Sequence, residues 1–218
     1  MDGSDVFNPT VDGGIVVLTD GAVVDPEVLS SGGNIYVSVA IPNPAFVVDA
    51  TNGGLTDWNI WKNPSQSSAI TVYNTWTDTY PLAGRIVSDG QNIQGGYYDQ
   101  ITLPASTKEL IADVRLKITS TSTNTSRNDK FVVDLSDNTQ ATTSANTVTL
   151  IEKSQLDASN SAQEYRGRVT LDTPLASATN RQLRLYVLGG TLAAGNITVV
   201  IYWVRLTARL CNESLGEC

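Results

Sequence analysis

Hydrophobic and polar positions alternate with a period of two along much of this chain. That is the signature of strands with one buried face. In "ADVRLKIT" (112–119) Val114, Leu116 and Ile118 point one way, and Arg115 and Lys117 the other. In "EYRGRVTL" (164–171) Tyr165, Val169 and Leu171 oppose Arg166 and Arg168. Further candidates are "NIYVSVAI" (34–41), "AITVYNTW" (69–76), "YYDQITL" (97–103), "KFVVDL" (130–135), "NTVTLIE" (146–152), "RQLRLYVL" (181–188) and "NITVVIYWVRLTARL" (196–210). These recurrent short strands, separated by turn residues, predict an all-β antiparallel sandwich or barrel. Helical periodicity is nearly absent. Ser106 and Glu109 have capping-box spacing in "STKELIA" (106–112), which predicts at most a turn or two of helix. "EKSQLDAS" (152–159) is a second candidate of the same kind.

Turn signals divide the strands. Gly-Gly pairs at 13–14, 32–33, 53–54, 95–96 and 189–190 predict tight turns, because glycine supplies positive φ. "IPNPAF" (41–46) holds two prolines that cannot both serve a central ladder, so a strand ends or kinks there. Residues 1–30 read as an extended N-terminal arm or short hairpin, 31–210 as the sandwich, and 211–218 as a tail. An apolar hairpin such as "GGIVVLTDGAVV" (13–24) is not stable alone in water, so the arm is expected to lie on its own body or on a neighbour.

The last candidate strand poses a problem. Its even positions, Val200 to Leu210, are apolar or nearly so throughout. Its odd positions begin Ile197, Val199, Ile201, Trp203 and end Arg205, Thr207, Arg209. A strand with one wet face would not carry the first four. The expectation is a second cover over Ile197–Trp203, supplied by a neighbouring subunit or an exchanged arm. The simpler rival is a face buried inside the sandwich.

Charge sharpens this picture. The net charge of the 218 residues is −8. Residues 1–107 hold eleven acids against Lys62 and Arg85, whereas 108–218 hold twelve cations and eleven acids. Clustered cations of the kind that bind nucleic acid are not expected in so acidic a chain. Instead Arg115, Lys117, Arg166, Arg168, Arg184, Arg205 and Arg209 all fall in candidate strands, most in the polar phase. If those strands share a sheet, one outer face is ringed with arginine. With Trp203 they are the candidate interface, matched by the acidic half of an adjacent subunit.

The chain has no histidine, which removes Ser-His-Asp and Cys-His nucleophiles and His-containing metal sites. It has no phosphate-binding glycine motif and no calcium-loop motif. No catalytic residue, metal or cofactor is expected. No stretch approaches the ~20 apolar residues of a membrane-spanning helix, and the start lacks a secretory signal pattern, so cytoplasmic synthesis, or a mature form with an added Met, is expected. Cys211 and Cys218 could close a local loop, pair between chains, or stay reduced.

The aromatics offer a binding chemistry. Trp58, Trp61, Tyr97 and Tyr98 sit beside Asp57, Asn59, Asp99 and Gln100. Exposed rings stack on apolar sugar faces while such polar groups hold hydroxyls, the pattern of a carbohydrate-binding module or lectin. The competing reading is that Trp58 and Trp61 plug the open end of the sandwich.

The acidic, glycine-punctuated "MDGSDVFNPTVDGGIVVLTDGAVVDPE", followed by an all-β body rich in Ser, Thr and Asn, resembles accessory virion proteins of tailed bacteriophages, of the head-decoration (cement) or head-fibre type. The resemblance implies a jelly-roll-like sandwich and a homo-oligomer, a trimer being favoured. It implies a non-enzymatic role in clamping the major capsid protein, and residence on the virion after assembly in the host cytoplasm.

Overall fold

The computed structural model describes residues 35–47, 55, 57–62, 70–73, 84–88, 94–120, 128–137, 147–154, 156, 158–159, 161–189 and 197–211. The strands are β1 (Ile35–Ser38), β2 (Asn59–Lys62), β3 (Ile70–Tyr73), β4 (Gly84–Ser88), β5 (Gln94–Leu103), β6 (Thr107–Ser120), β7 (Lys130–Ser136), β8 (Val148–Ser154), β9 (Gln163–Thr170), β10 (Thr179–Leu188) and β11 (Ile197–Leu210). All pair antiparallel. One sheet runs β3-β4-β11-β6-β9, with β1 added to β11; the other runs β2-β5-β10-β7-β8.

The sheets face one another across a single core. Val114, Leu116, Val204 and Leu206 come from the first, and Phe131, Val133, Leu183 and Leu185 from the second, all essentially without solvent contact. This is the antiparallel β-sandwich that the alternation predicts, with the jelly-roll-like layout that the resemblance implies, and the described residues contain no helix. The sheets meet closely at one edge, where β9 passes β8. A Cβ on Gly167 would lie 1.7 Å from the Leu150 carbonyl oxygen, so no side chain fits there. The predicted arm and the tail beyond Cys211 lie outside the described residues.

Each of the nine predicted strands has its counterpart. β2 and β4 were not predicted: four or five residues are too short for their alternation to stand out. The helical turn expected over 106–112 is instead the start of β6. Leu110, Ala112 and Val114 bury one face of that strand, and Ser106 takes a left-handed turn conformation (φ 62°) just before it. Alternation with a core to fill outweighs a local capping signal. The second helical candidate also fails, since β8 continues to Ser154 and Leu156 is a core residue. Gly95-Gly96 is no turn but lies inside β5, and its use there is steric.

The two apolar faces of β11 are one face. Its pairing with β6 shifts between Ile201 and Trp203, so Tyr202 is an extra, bulged residue. Before the bulge, odd residues Ile197, Val199 and Ile201 line the core; after it, even residues Val204, Leu206 and Ala208 do. The second sheet therefore covers Ile197–Ile201, as the simpler rival reading held. The outer face carries Val200, which lies between Arg85 and Lys117 in the strand register, and then Trp203 and Arg205.

Candidate functional site

Parity decides where the four aromatic candidates go. Neighbouring strand residues point to opposite faces. In β5, Tyr97 faces the core and is wholly buried, whereas Tyr98 faces outward and is half-buried. Trp58 and Trp61 are three apart and also separate. Trp58, just before β2, is 6% exposed and stacks on Phe46 with ring centroids 4.8 Å apart. Its indole N–H donates to the Asn43 carbonyl at 2.9 Å. Tyr97 meets both rings edge to face; its hydroxyl accepts the Arg85 N–H at 2.7 Å and donates its proton to the Tyr73 carbonyl, with the Arg85 carbonyl 3.0 Å away. Burial holds that phenol well above its ordinary pKa. Trp58 and Tyr97 are thus core residues and leave the candidate site. Trp61 and Tyr98 remain in it, on the outer face of the second sheet.

That face has an ordered centre. Trp61, Gly96 and Tyr186 occupy one row across β2, β5 and β10. The glycine leaves the middle of the row empty, and the indole reaches across to meet Tyr186 edge to face, with centroids 5.3 Å apart. A Cβ on Gly96 would come within 2.1 Å of the Leu185 carbonyl oxygen and 2.7 Å of the Tyr186 Cβ. Tyr186 is held in turn. Its hydroxyl donates to Asp134 at 2.9 Å, and Asp134 takes the Arg184 guanidinium in a fork of 2.7 and 2.8 Å. Burial, and then the Asp134 charge, raise the Tyr186 phenol above its ordinary range. The next row places Asn59 beside Tyr98, with Gln100 further along β5; Asn59 and Gln100 are exposed. Trp61 Nε1 is a buried donor without an acceptor. Sequence reasoning singled out Arg184 but passed over Tyr186 and Asp134. The alternation Gln182, Arg184, Tyr186 in "RQLRLYVL" was the available signal.

Beside β2 an open pocket of about 260 Å³ is lined by Pro42, Asp57, Trp58, Asn59 and Asp99. One Asp99 oxygen accepts the Gln100 N–H at 2.7 Å, and the other is buried without a partner. Burial raises the Asp99 pKa, and the Asp57 charge raises it further. A carboxyl whose folded value exceeds its unfolded one retains protons that the unfolded chain has lost. Stability therefore falls as pH rises through that window. Asp99→Asn is expected to raise Tm at neutral pH. The gain should vanish as pH falls below the ordinary value of 3.8, where both states are protonated. Melting curves across pH 3 to 7 check this; equal Tm at every pH would contradict it.

The arginine candidates divide between the sheets. Arg184 belongs to the second and is buried, so it cannot ring the other face. On the first sheet three of the six candidates are met by carboxylates within the chain. Glu109 takes both Arg168 (2.6 Å) and Arg209 (2.8 Å), and Asp113 takes Arg166 (2.6 Å). Arg205 lies over the Trp203 ring, 4.7 Å from its centroid, and Arg115 is exposed opposite Trp203. Cys211 is disulfide-bonded; the sequence has one other cysteine, Cys218, outside the described residues.

No family model and no curated protein matches this chain. Solved structures do. A Stig cyclase from Fischerella sp. TAU, in complex with a pyrrolidinylidene-indole, is 14% identical over 81% of this chain and 100% of its own, with a TM-score of 0.51. An arabinose-bound α-L-arabinofuranosidase, MgGH51, is 13% identical over 86% of this chain with a TM-score of 0.51; the match spans 28% of that chain. TmCBM61, solved with β-1,4-galactotriose, is 13% identical over 76% of this chain and 95% of its own, with a TM-score of 0.44. The likeness is one of fold alone. The sandwich is shared with a cyclase and with part of a glycosidase, so the site must speak for the function.

Proposed function

We propose that this chain is a non-enzymatic carbohydrate-binding sandwich that takes a glycan on the outer face of its second sheet, around Trp61 and Tyr98. The observation that carries the reading is the Trp61–Tyr186 pair. Two large rings stand on the outer face of a sheet, outside the core, locked by Gly96 and by the Asp134–Arg184 fork. Locked rings lose little entropy on stacking against a sugar. Asn59 and Gln100 stand at the open side, where hydroxyls need partners. Of the cations that the bacteriophage reading would use, Arg166, Arg168, Arg209 and the buried Arg184 are held in ion pairs within the chain, and the arm it needs lies outside the described residues.

Affinity electrophoresis through a panel of neutral polysaccharides tests the proposal. The protein should be retarded by at least one of them. Trp61→Ala and Tyr98→Ala should each weaken that binding about tenfold, a loss of roughly 1.4 kcal/mol, with unchanged circular dichroism. Retardation by none, or retardation unaffected by both variants, would overturn it.

A further inference from the structure

The outer face of the first sheet keeps an unbalanced corner. With Glu109 and Asp113 engaged, Arg205 lies over Trp203, Arg115 stands opposite it on β6 and Lys117 follows two residues on; Glu164, opposite Arg115 on β9, is the one further carboxylate pointing outward from β6, β9 and β11. No carboxylate of the described residues pairs with Arg115, Lys117 or Arg205. Arg205 stacks on the half-buried Trp203. An aromatic ring flanked by three cations suits an occupant that is both acidic and apolar. The chain's net charge is −8, and residues 1–34 alone hold six acids and no cation, so a free polyanion would have to displace an acidic segment already tethered beside the corner.

We infer that this corner is a docking surface for the chain's own N-terminal segment, residues 1–34. That segment has the matching chemistry. It carries Asp2, Asp5, Asp12, Asp20, Asp25 and Glu27 with no Lys or Arg, and the apolar runs "IVVL" (15–18) and "AVV" (22–24). It also enters at the right strand. β1 begins at Ile35, paired with Leu210 on β11, the strand that carries Arg205 and Trp203. At roughly 3.3 Å per residue, Trp203 lies about 23 Å back along β11 from that entry. A chain of this length can span that distance several times over. Tethering raises the effective concentration of the acidic segment at the corner, which a weak electrostatic contact requires. The inference is independent of the glycan reading, which concerns the opposite sheet.

Zero-length carbodiimide cross-linking of the full chain tests it, since the reagent joins Lys117 to a carboxylate in contact. Equal amounts of unlabelled and nitrogen-15-labelled protein are mixed first. Cross-links from Lys117 to acids of residues 1–34 are expected, within chains of one isotope only. They should fall at least fivefold in 0.5 M salt and in an Arg115→Ser/Arg205→Ser variant. Mixed-isotope cross-links would overturn docking within one chain and assign the surface to a second copy. Absence of Lys117 cross-links to this segment, or cross-links insensitive to both salt and the variant, would overturn the docking itself.

Discussion

Replacing Asp134 with alanine is expected to destabilise the protein by about 3–5 kcal/mol, the typical cost of removing one partner of a buried ion pair. The side chains of Arg184 and Asp134 are 6% and 0% exposed, and the fork between them is short and doubled. Alanine leaves the buried guanidinium without its carboxylate and removes the acceptor of the Tyr186 hydroxyl. Asp134→Asn, which keeps an acceptor but loses the charge, should fall between alanine and the native residue. An Asp134→Leu/Arg184→Met double variant should recover much of the loss, because an apolar pair has no charge to strand. Urea titration reads this as a shift in midpoint at constant slope. A loss below about 1 kcal/mol for Asp134→Ala would mean that water reaches Arg184. The same change should loosen Tyr186 and, through it, Trp61. Glycan binding should therefore weaken in Asp134→Ala even where the fold survives, and return incompletely in the double variant.

Strand periodicity carried most of the fold. The alternation in 112–119 and 164–171 was read correctly because each strand keeps one phase along its length. β11 was misread because its phase changes at Tyr202. A bulge leaves no mark in composition, and a strand that switches phase looks apolar on both sides. The arginines were misread for a related reason. Sequence gives the face a residue points to but not its neighbours across the strands. The carboxylates that meet them, Glu109, Asp113 and Asp134, lie 50 to 100 positions away. The faces of the aromatics are legible in strand parity alone. Tyr97 and Tyr98 were already in a predicted strand, where neighbours cannot share a face. Strand parity in "DWNIWKN" (57–63) parts Trp58 from Trp61 in the same way, because residues three apart face opposite sides. Gly96 could not be read, because a Gly-Gly pair signals a turn unless a ring from the next strand needs the space.

The two tryptophans should therefore give opposite results. Trp58→Ala removes a core ring that stacks on Phe46 at an interplanar angle of 8° and meets Tyr97 at 6.4 Å. A loss of about 3–5 kcal/mol is expected, since a cavity of that size closes only partly. The Asn43 carbonyl also loses its indole donor, although it still accepts the Phe46 N–H at 3.1 Å. Trp58→Phe keeps an apolar ring and should recover most of the loss, leaving about 1 kcal/mol for the missing hydrogen bond and the smaller ring. Trp61→Ala exposes no core and strands no charge. It removes an edge-to-face contact of about 0.5–1.5 kcal/mol together with a donor that had no acceptor, so its effect on stability should be small. Chemical denaturation of the two variants under identical conditions separates the roles. Equal, large losses would mean that Trp61 is a second plug of the sandwich, and the outer face would then lose its claim as a binding surface. A large loss for Trp58 alone leaves Trp61 as a ring that the fold holds outside its core at little benefit to stability, which is what a ligand platform requires.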